Sequence, residues 1–105
     1  MIVEQVKFTV SPKLTTEELL QAKRLSDVFL KNQSGFRYRE FNYCDDEQCW
    51  IDRVYWGSLD EAKSAADGFP NAPECTAFMG AIGNVISFEH IDEVKLEKRD
   101  ATITP

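Results

Sequence analysis

The sequence predicts an α+β protein in which helices cover one face of a four-stranded antiparallel sheet. Four segments have the apolar-rich or alternating pattern of β-strands, and two segments between them begin with helix-capping signals. The order of elements is β-α-β-β-α-β, with an additional short helix before the last strand. The length of 105 residues suits one domain. We predict this domain over residues 1–98 and expect the tail, 99–105, to be flexible or to contact a partner chain.

The first strand and the first helix have clear boundaries. Apolar and polar side chains alternate over residues 2–10, as in a strand with one wetter face. Thr15 and Glu18 have the spacing of a capping box. Gly35 is expected to supply the left-handed turn after the helix. The apolar face of this helix is predicted to contain Leu19, Ala22, Leu25, Ser26, Val28 and Phe29.

A hairpin follows the first helix. Residues 36–44 and 49–56 are rich in aromatic side chains, and the polar stretch 45–48 between them predicts a tight connection. If one face of these strands points inward, one interpretation is an ion pair of Asp52 or Glu40 with an arginine, because an unpaired buried charge is costly, and such a pair would anchor an acidic substrate. The alternative is a solvated charge pattern on an edge strand.

The second half of the chain completes the fold. Ser58 and Glu61 repeat the capping spacing and predict a second helix, which ends at Gly68. A short helix is predicted over 71–79 and a last strand over 84–94, with an extension to Lys98 left open. This order is the ferredoxin-like split βαβ arrangement.

The sheet face without helices predicts self-association. Whichever face of the hairpin and last strand is exposed, it carries bulky apolar or aromatic side chains. An uncovered apolar face of that size favours association. We therefore predict a homodimer, sheet against sheet.

Charge and hydropathy exclude several partners. The net charge is −6 and the pI is about 4.7, so nucleic acid and anionic membranes are not expected partners. The sequence contains no apolar run of about 20 residues, and the charged N-terminal strand differs from a signal peptide. We predict a cytoplasmic protein that does not associate with membranes.

Three groups of residues resemble a known family. They are Gly35-Phe36, the stretch Trp56-Gly57-Ser58 with Glu61-Ala62, and the segment NAPECTAFMGAI (71–82) with Phe78. In this order they resemble the dimeric α/β-barrel superfamily, and within it the antibiotic-biosynthesis-monooxygenase-like proteins, over about residues 2–94. The resemblance implies a dimeric α/β barrel and a cofactor-independent monooxygenase acting on a small aromatic or polyketide-like substrate.

Two departures from the family pattern leave alternatives open. The haem-degrading branch uses a histidine on the helix after the Trp-bearing strand, but residues 59–79 contain no histidine. That branch and the quinone-forming oxygenases use an asparagine in the first strand, where this chain has Glu4 and Gln5. Haem binding or degradation is thus less supported, and a non-catalytic dimeric binding or structural module is the main alternative.

Four residues are predicted to form the site, in a pocket between the two sheets of the dimer. His90, the only histidine, is predicted to be the catalytic base. Its alternative is a rim or dimer-contact residue. Trp56, Tyr38 and Phe78 are predicted to bind the substrate, with Trp56 as a stacking wall. The alternative for Trp56 is a packed core aromatic.

The remaining motifs predict no metal and no cofactor. Cys44 and Cys49 flank an acidic loop but lack further nearby zinc ligands. They either form a cross-strand disulfide or stay reduced. Cys75 is expected to pack as a small apolar residue. The sequence has no glycine-rich phosphate loop.

Overall fold

The computed structural model describes residues 1–92 of the chain. The strands are Ile2–Val10 (β1), Phe36–Cys44 (β2), Cys49–Trp56 (β3) and Ile82–Asp92 (β4). The helices are Thr16–Lys31 (α1), Leu59–Gly68 (α2) and Thr76–Ala81 (α3). One sheet of order β2-β3-β1-β4, antiparallel throughout, forms the frame. The predicted α+β, ferredoxin-like fold is confirmed. The predicted end of the domain at residue 98 and the tail 99–105 lie outside the described residues.

The predicted short helix over 71–79 is wrong in its extent. Two short 3₁₀ helices, Phe69–Asn71 and Pro73–Cys75, precede α3. Pro70 and Pro73 cannot donate a backbone hydrogen bond, so a continuous α-helix does not form there. The last strand also begins two residues earlier than predicted, at Ile82.

Helix α1 buries a narrower face than predicted. Its capping box is present, because Thr15 Oγ1 accepts from the Glu18 N–H and the Glu18 carboxylate accepts from the Thr15 N–H. Leu25 and Val28, however, are 53% and 51% exposed. The helix contacts the sheet along one stripe only, which is formed by Leu19, Ala22, Ser26 and Leu30.

The strand register assigns a face to each predicted site residue that lies on a strand. Glu4 lies opposite Val54 on β3 and His90 on β4, and Val6 lies opposite Asp52. On β2, Arg39 lies opposite Val54, while Tyr38 lies opposite Tyr55. Residues directly opposite each other share a face, and faces alternate along a strand. The helix-covered face therefore carries Glu4, Val6, Phe8, Arg39, Phe41, Asp52, Val54, Trp56, Phe88 and His90.

The other face of the sheet is mixed rather than apolar. It presents the stacked rings of Tyr38 and Tyr55, whose centroids are 4.1 Å apart, beside charged Arg53 and Glu40. Arg53 Nε donates to the amide oxygen of Gln5, at 2.7 Å. We call this surface the open face.

Two buried clusters connect the helices to the sheet. One contains Phe8 with Leu19, Ala22, Phe78 and Ala81. The other contains Trp56 with Leu30, Val54, Ala62 and Ala65. None of the helices within residues 1–92 has the length and apolar character needed to cross a bilayer.

Candidate functional site

A cavity of about 210 Å³ lies between the sheet and the helices, within a single chain. Its helix side is formed in part by Ala65 and Ala66 of α2, whose single methyl groups fill little of the space above the sheet. This location differs from the predicted one, between the sheets of two protomers. The structural reason is that small α2 side chains leave space on the covered face. The apolar lining comprises Val6, Phe8, Leu30, Val54, Trp56, Ala65, Ala66, Phe69, Pro70, Phe78, Met79, Ile82, Val85 and Phe88.

Three charged residues interrupt this apolar lining: Glu4, Arg39 and Asp52. Each occupies a helix-facing position in its strand. Because an isolated buried charge is strongly destabilising, each needs a partner within the fold. The structure supplies two separate groups of partners, one around Glu4 and one around Arg39.

Glu4 is held by His90. Nε2 of His90 lies 3.0 Å from Oε2 of Glu4, and both side chains are largely shielded from solvent. Burial raises the pKa of Glu4 above its ordinary value, the hydrogen bond and charge of His90 oppose this rise, and the charge of Asp52 adds to it. A carboxylate in an apolar wall with a raised pKa is suited to accept a proton from a bound molecule.

Arg39 forms the second group, with partners from a strand and a helix. Its Nε and Nη2 contact the two carboxylate oxygens of Asp52 at 2.9 and 2.7 Å. Its Nη1 contacts Asp27 at 2.9 Å and Ser26 Oγ at 2.8 Å, both on α1. The guanidinium also lies 5.0 Å from the ring centroid of Phe78. Two carboxylates neutralise this cation, so we assign it a structural role rather than the binding of an anionic ligand.

Trp56 contributes both a flat surface and a hydrogen-bond donor. The residue is fully buried, lines the cavity and packs edge-on against Phe36, with centroids 5.9 Å apart. Its Nε1–H finds no acceptor among residues 1–92. Buried donors in folded proteins are almost always paired. An acceptor oxygen on a bound molecule would meet this need.

The structure brings three of the four predicted site residues to this region. Trp56 and Phe78 line the cavity, and His90 reaches it through Glu4. Tyr38 lies on the open face and does not line the cavity. A register shift between Phe36 and Tyr38 changes the alternation, so that Phe36 and Arg39 both face the helices.

Sequence reasoning missed Glu4, although the sequence contains a signal for it. Glu4 shares its parity with apolar Ile2, Val6 and Phe8 in β1. A carboxylate at an apolar position of a half-buried strand indicates a partnered or functional group.

The cysteines form no metal site in the described part of the chain. Within residues 1–92, no group of three or more His, Cys, Asp or Glu side chains could hold a metal ion. Cys44, Cys49 and Cys75 are all free thiols, and Cys44 lies directly opposite Cys49.

Comparisons with known proteins identify similar solved structures. SnoaB, a cofactor-independent oxygenase from Streptomyces nogalater, is 19% identical, with a TM-score of 0.64 over 86% of this chain and 87% of its own. A putative antibiotic biosynthesis monooxygenase from Bordetella bronchiseptica is 14% identical, with a TM-score of 0.70 over 87% and 94%. A mutant of MhuD with two manganese protoporphyrin IX molecules bound per active site is 17% identical, with a TM-score of 0.66 over 88% and 93%.

These similarities are structural. The sequence matches no protein-family model and no curated protein. The resemblance predicted from the sequence is confirmed at the level of the fold. The chain has the ferredoxin-like α+β fold of antibiotic-biosynthesis-monooxygenase-like proteins.

Proposed function

We propose that the protein is a cofactor-independent monooxygenase that acts on a small, electron-rich hydroxyaromatic molecule. One observation carries the proposal: a shielded carboxylate, Glu4, is held by His90 in the wall of an otherwise apolar cavity. The similarity to SnoaB, described as a cofactor-independent oxygenase, supports the same class of chemistry. The proposal replaces His90 with Glu4 as the base and makes His90 the residue that positions it.

The size of the cavity defines the substrate class. A volume of about 210 Å³ is below the ~300 Å³ at which ordinary ligand pockets begin. It suits a molecule of one or two fused rings. A macrocycle such as haem needs a larger space, so the cavity argues against haem binding. Glu4 and Asp52 also make the wall unfavourable for a ligand that carries a carboxylate.

The chemistry proceeds without an external reductant. Glu4 takes the proton of a phenolic hydroxyl, and the phenolate transfers electron density to dioxygen. The ring carbon para to the phenolate oxygen then forms a bond to one oxygen atom, giving a hydroperoxide that receives the proton back. This carbon loses its hydrogen as a proton, the O–O bond breaks and water leaves. A naphthol and dioxygen thus give a naphthoquinone and water, in which the substrate loses four electrons and dioxygen gains four.

Other residues orient the substrate for this reaction. Trp56 and Phe78 provide aromatic surfaces for the substrate rings. The Nε1–H of Trp56, which has no acceptor within residues 1–92, is a donor for a carbonyl or phenolate oxygen, whose negative charge it would stabilise. Trp56 lies opposite Ile2, which is two residues from Glu4 in β1. Trp56 and Glu4 are therefore diagonal neighbours on adjacent strands, about 7–8 Å apart at the backbone. This separation suits the two ends of one small aromatic molecule.

Oxygen consumption tests the proposal. A dihydroxynaphthalene whose carbon para to a hydroxyl carries hydrogen, 1,5-dihydroxynaphthalene, is mixed with the purified protein while dissolved oxygen and quinone absorbance are recorded. We expect one dioxygen consumed per quinone formed, and with isotopically labelled dioxygen one labelled atom in the quinone. Consumption at the rate of the protein-free control would contradict the proposal.

The small volume also favours a second candidate, a non-catalytic binding module. In that case the dihydroxynaphthalene would quench the fluorescence of Trp56 in a saturable way without any oxygen uptake. Trp50→Phe removes the other tryptophan, so that the signal reports Trp56 alone. Saturable quenching together with oxygen uptake supports the monooxygenase, whereas quenching alone supports the binding module.

We also propose that the chain forms a homodimer through the open face. Tyr38 is 47% exposed there, and tyrosine is enriched at protein interfaces. We expect Tyr38→Glu to convert a dimer to a monomer in sedimentation velocity. Tyr43→Glu is the matched control, because Tyr43 is 49% exposed but shares its face with Trp50, on the side of the helices. A monomeric wild-type chain at micromolar concentration would contradict this proposal.

A further inference from the structure

Cys44 and Cys49 occupy directly opposed positions at the end of the β2–β3 hairpin. Both are free thiols. In an antiparallel pair, opposed residues have Cα atoms about 4.5 or 5.5 Å apart, according to the type of pair. A disulfide accepts Cα separations of about 4.4–6.8 Å. The backbone of the hairpin therefore already has the spacing that a disulfide needs.

The surroundings of the two thiols differ. Cys49 is buried, whereas Cys44 is partly exposed. Cys49 Sγ lies 3.8 Å from Oε2 of Glu47, whose carboxylate is paired with Lys7 Nζ at 2.9 Å. Burial, with the nearby Glu47 carboxylate and Cys44 thiol, raises the pKa of Cys49. Cys44 is therefore the thiol that an external reagent reaches first.

We propose that Cys44 and Cys49 form a reversible dithiol–disulfide couple that exchanges with small-molecule disulfides. The thiolate of Cys44 attacks one sulfur of the small disulfide, which forms a mixed disulfide and releases one small thiol. The thiolate of Cys49 then attacks the Cys44 sulfur and releases the second small thiol. Two protein thiols are oxidised, and the small disulfide is reduced to two thiols.

The location of the pair gives the couple a structural consequence. β2 is an edge strand of the sheet and pairs only with β3 within the described residues. Asp45–Gln48, the loop that joins these strands, contains no cysteine and only four residues. A covalent link across the base of this loop fixes the register of the edge strand at this end. The pair lies at the hairpin end of the open face, away from the cavity and roughly 20 Å along β2 from Tyr38. The couple is therefore independent of the proposed oxygenase chemistry and of the proposed dimer contact at Tyr38.

Intact-mass analysis of the full chain tests the couple. The reduced protein is incubated with excess oxidised glutathione for several hours. We expect a loss of two hydrogen atoms, reversed by a reducing agent. Trypsin releases residues 40–53 as one peptide, because no Lys or Arg lies between Arg39 and Arg53. Cleavage of this peptide after Glu47 then gives two fragments that stay joined until they are reduced.

Variants in which one cysteine is replaced by serine provide the controls. Cys75→Ser is expected to lose two hydrogen atoms like the wild type, because Cys75 is remote in sequence and buried in a 3₁₀ helix. Cys49→Ser is expected to stop at the glutathione adduct on Cys44. A wild-type chain that stops at such an adduct, keeps three free thiols or links Cys75 would overturn the proposal.

A second reagent tests the proximity of the two thiols without depending on the rate of their oxidation. Phenylarsine oxide binds two neighbouring thiols without an oxidation step. We expect one equivalent to bind to the wild type and to Cys75→Ser, and none to Cys44→Ser or Cys49→Ser. Equal binding by all four proteins would overturn the assignment of a dithiol at this position.

Discussion

The imidazole of His90 lies 3.0 Å from the carboxylate of Glu4, across the neighbouring strands β4 and β1. Both residues face the helices, and Glu4 lines the cavity there. The pair joins a titratable group in an apolar wall to the one histidine of the chain. This relationship makes Glu4 the base of the proposed reaction and gives His90 the role of orienting it.

Filling the cavity should abolish ligand binding without unfolding the protein. Ala66→Phe places a ring into the space between α2 and the sheet, because Ala66 lines the cavity. We expect the affinity for the dihydroxynaphthalene, measured by tryptophan fluorescence, to fall at least tenfold, because the new ring occupies the space that the ligand needs. A tenfold loss corresponds to about 1.4 kcal/mol of binding free energy. Ala77→Phe, on the exposed side of α3, should bind as the wild type does. Equal affinities for the two variants would contradict the location of the site.

The raised pKa of Glu4 predicts how stability depends on pH. Between the ordinary pKa of 4.5 and the raised value, the folded chain binds more protons at Glu4 than the unfolded chain. Stability is therefore lost as the pH rises through this window, and Glu4→Gln lacks this loss. We expect the variant to gain stability relative to the wild type as the pH increases.

Urea unfolding at a series of pH values from about 4 to 8 measures this difference. Glu89→Gln is the control, because Glu89 is exposed and lies on the open face opposite Gln5. If the difference in free energy of unfolding between Glu4→Gln and the wild type stays constant with pH, or changes in the opposite direction, the raised pKa of Glu4 is contradicted.

The pair of Arg39 and Asp52 should be essential for stability. The side chain of Arg39 is 3% exposed, so its removal leaves the buried Asp52 without its counter-charge, while Asp27 keeps only Lys23. Arg39→Met is expected to lower the free energy of unfolding by about 3–5 kcal/mol. Arg24→Met is the control, since Arg24 is 58% exposed and only loosely paired with Glu17, at 3.6 Å. It should cost less than about 1 kcal/mol. Similar losses for the two variants, measured by urea unfolding, would argue against a buried network.

Gln48 should be a site of simple stabilisation. Its φ angle is +51°, a left-handed conformation that glycine adopts with less strain than other residues. Gln48→Gly is expected to raise the free energy of unfolding by about 1 kcal/mol. Asp46→Gly, in the same loop but without a positive φ, should be neutral or destabilising. If Asp46→Gly unfolds at a higher temperature than Gln48→Gly, the strained left-handed conformation assigned to Gln48 is contradicted.

The fold could be predicted because its signals are local. The capping box of Thr15 and Glu18 defines the start of α1 from four consecutive residues. The hairpin is defined in the same way by two aromatic-rich segments and the polar loop between them. Such features depend on neighbours in sequence, and their order along the chain specifies the topology.

The site was harder to predict because it depends on contacts between distant residues. Glu4 and His90 are 86 positions apart in the chain, and only the strand register brings them together. The orientation of Tyr38 depended on a register shift that no short motif indicates. The cavity itself results from small side chains on α2 packing over large ones on the sheet. Sequence periodicity predicts which residues face inward, but not how completely they fill the space.

The most direct test of the account is the rate of oxygen uptake by Glu4→Gln with a dihydroxynaphthalene as substrate, measured beside the wild type and Glu89→Gln. If Glu4 is the base, its loss should reduce turnover by about 10²–10⁴-fold, while saturable quenching of Trp56 persists and Glu89→Gln keeps the wild-type rate. Wild-type turnover by Glu4→Gln would contradict the central claim, because the proton would then be taken by another group.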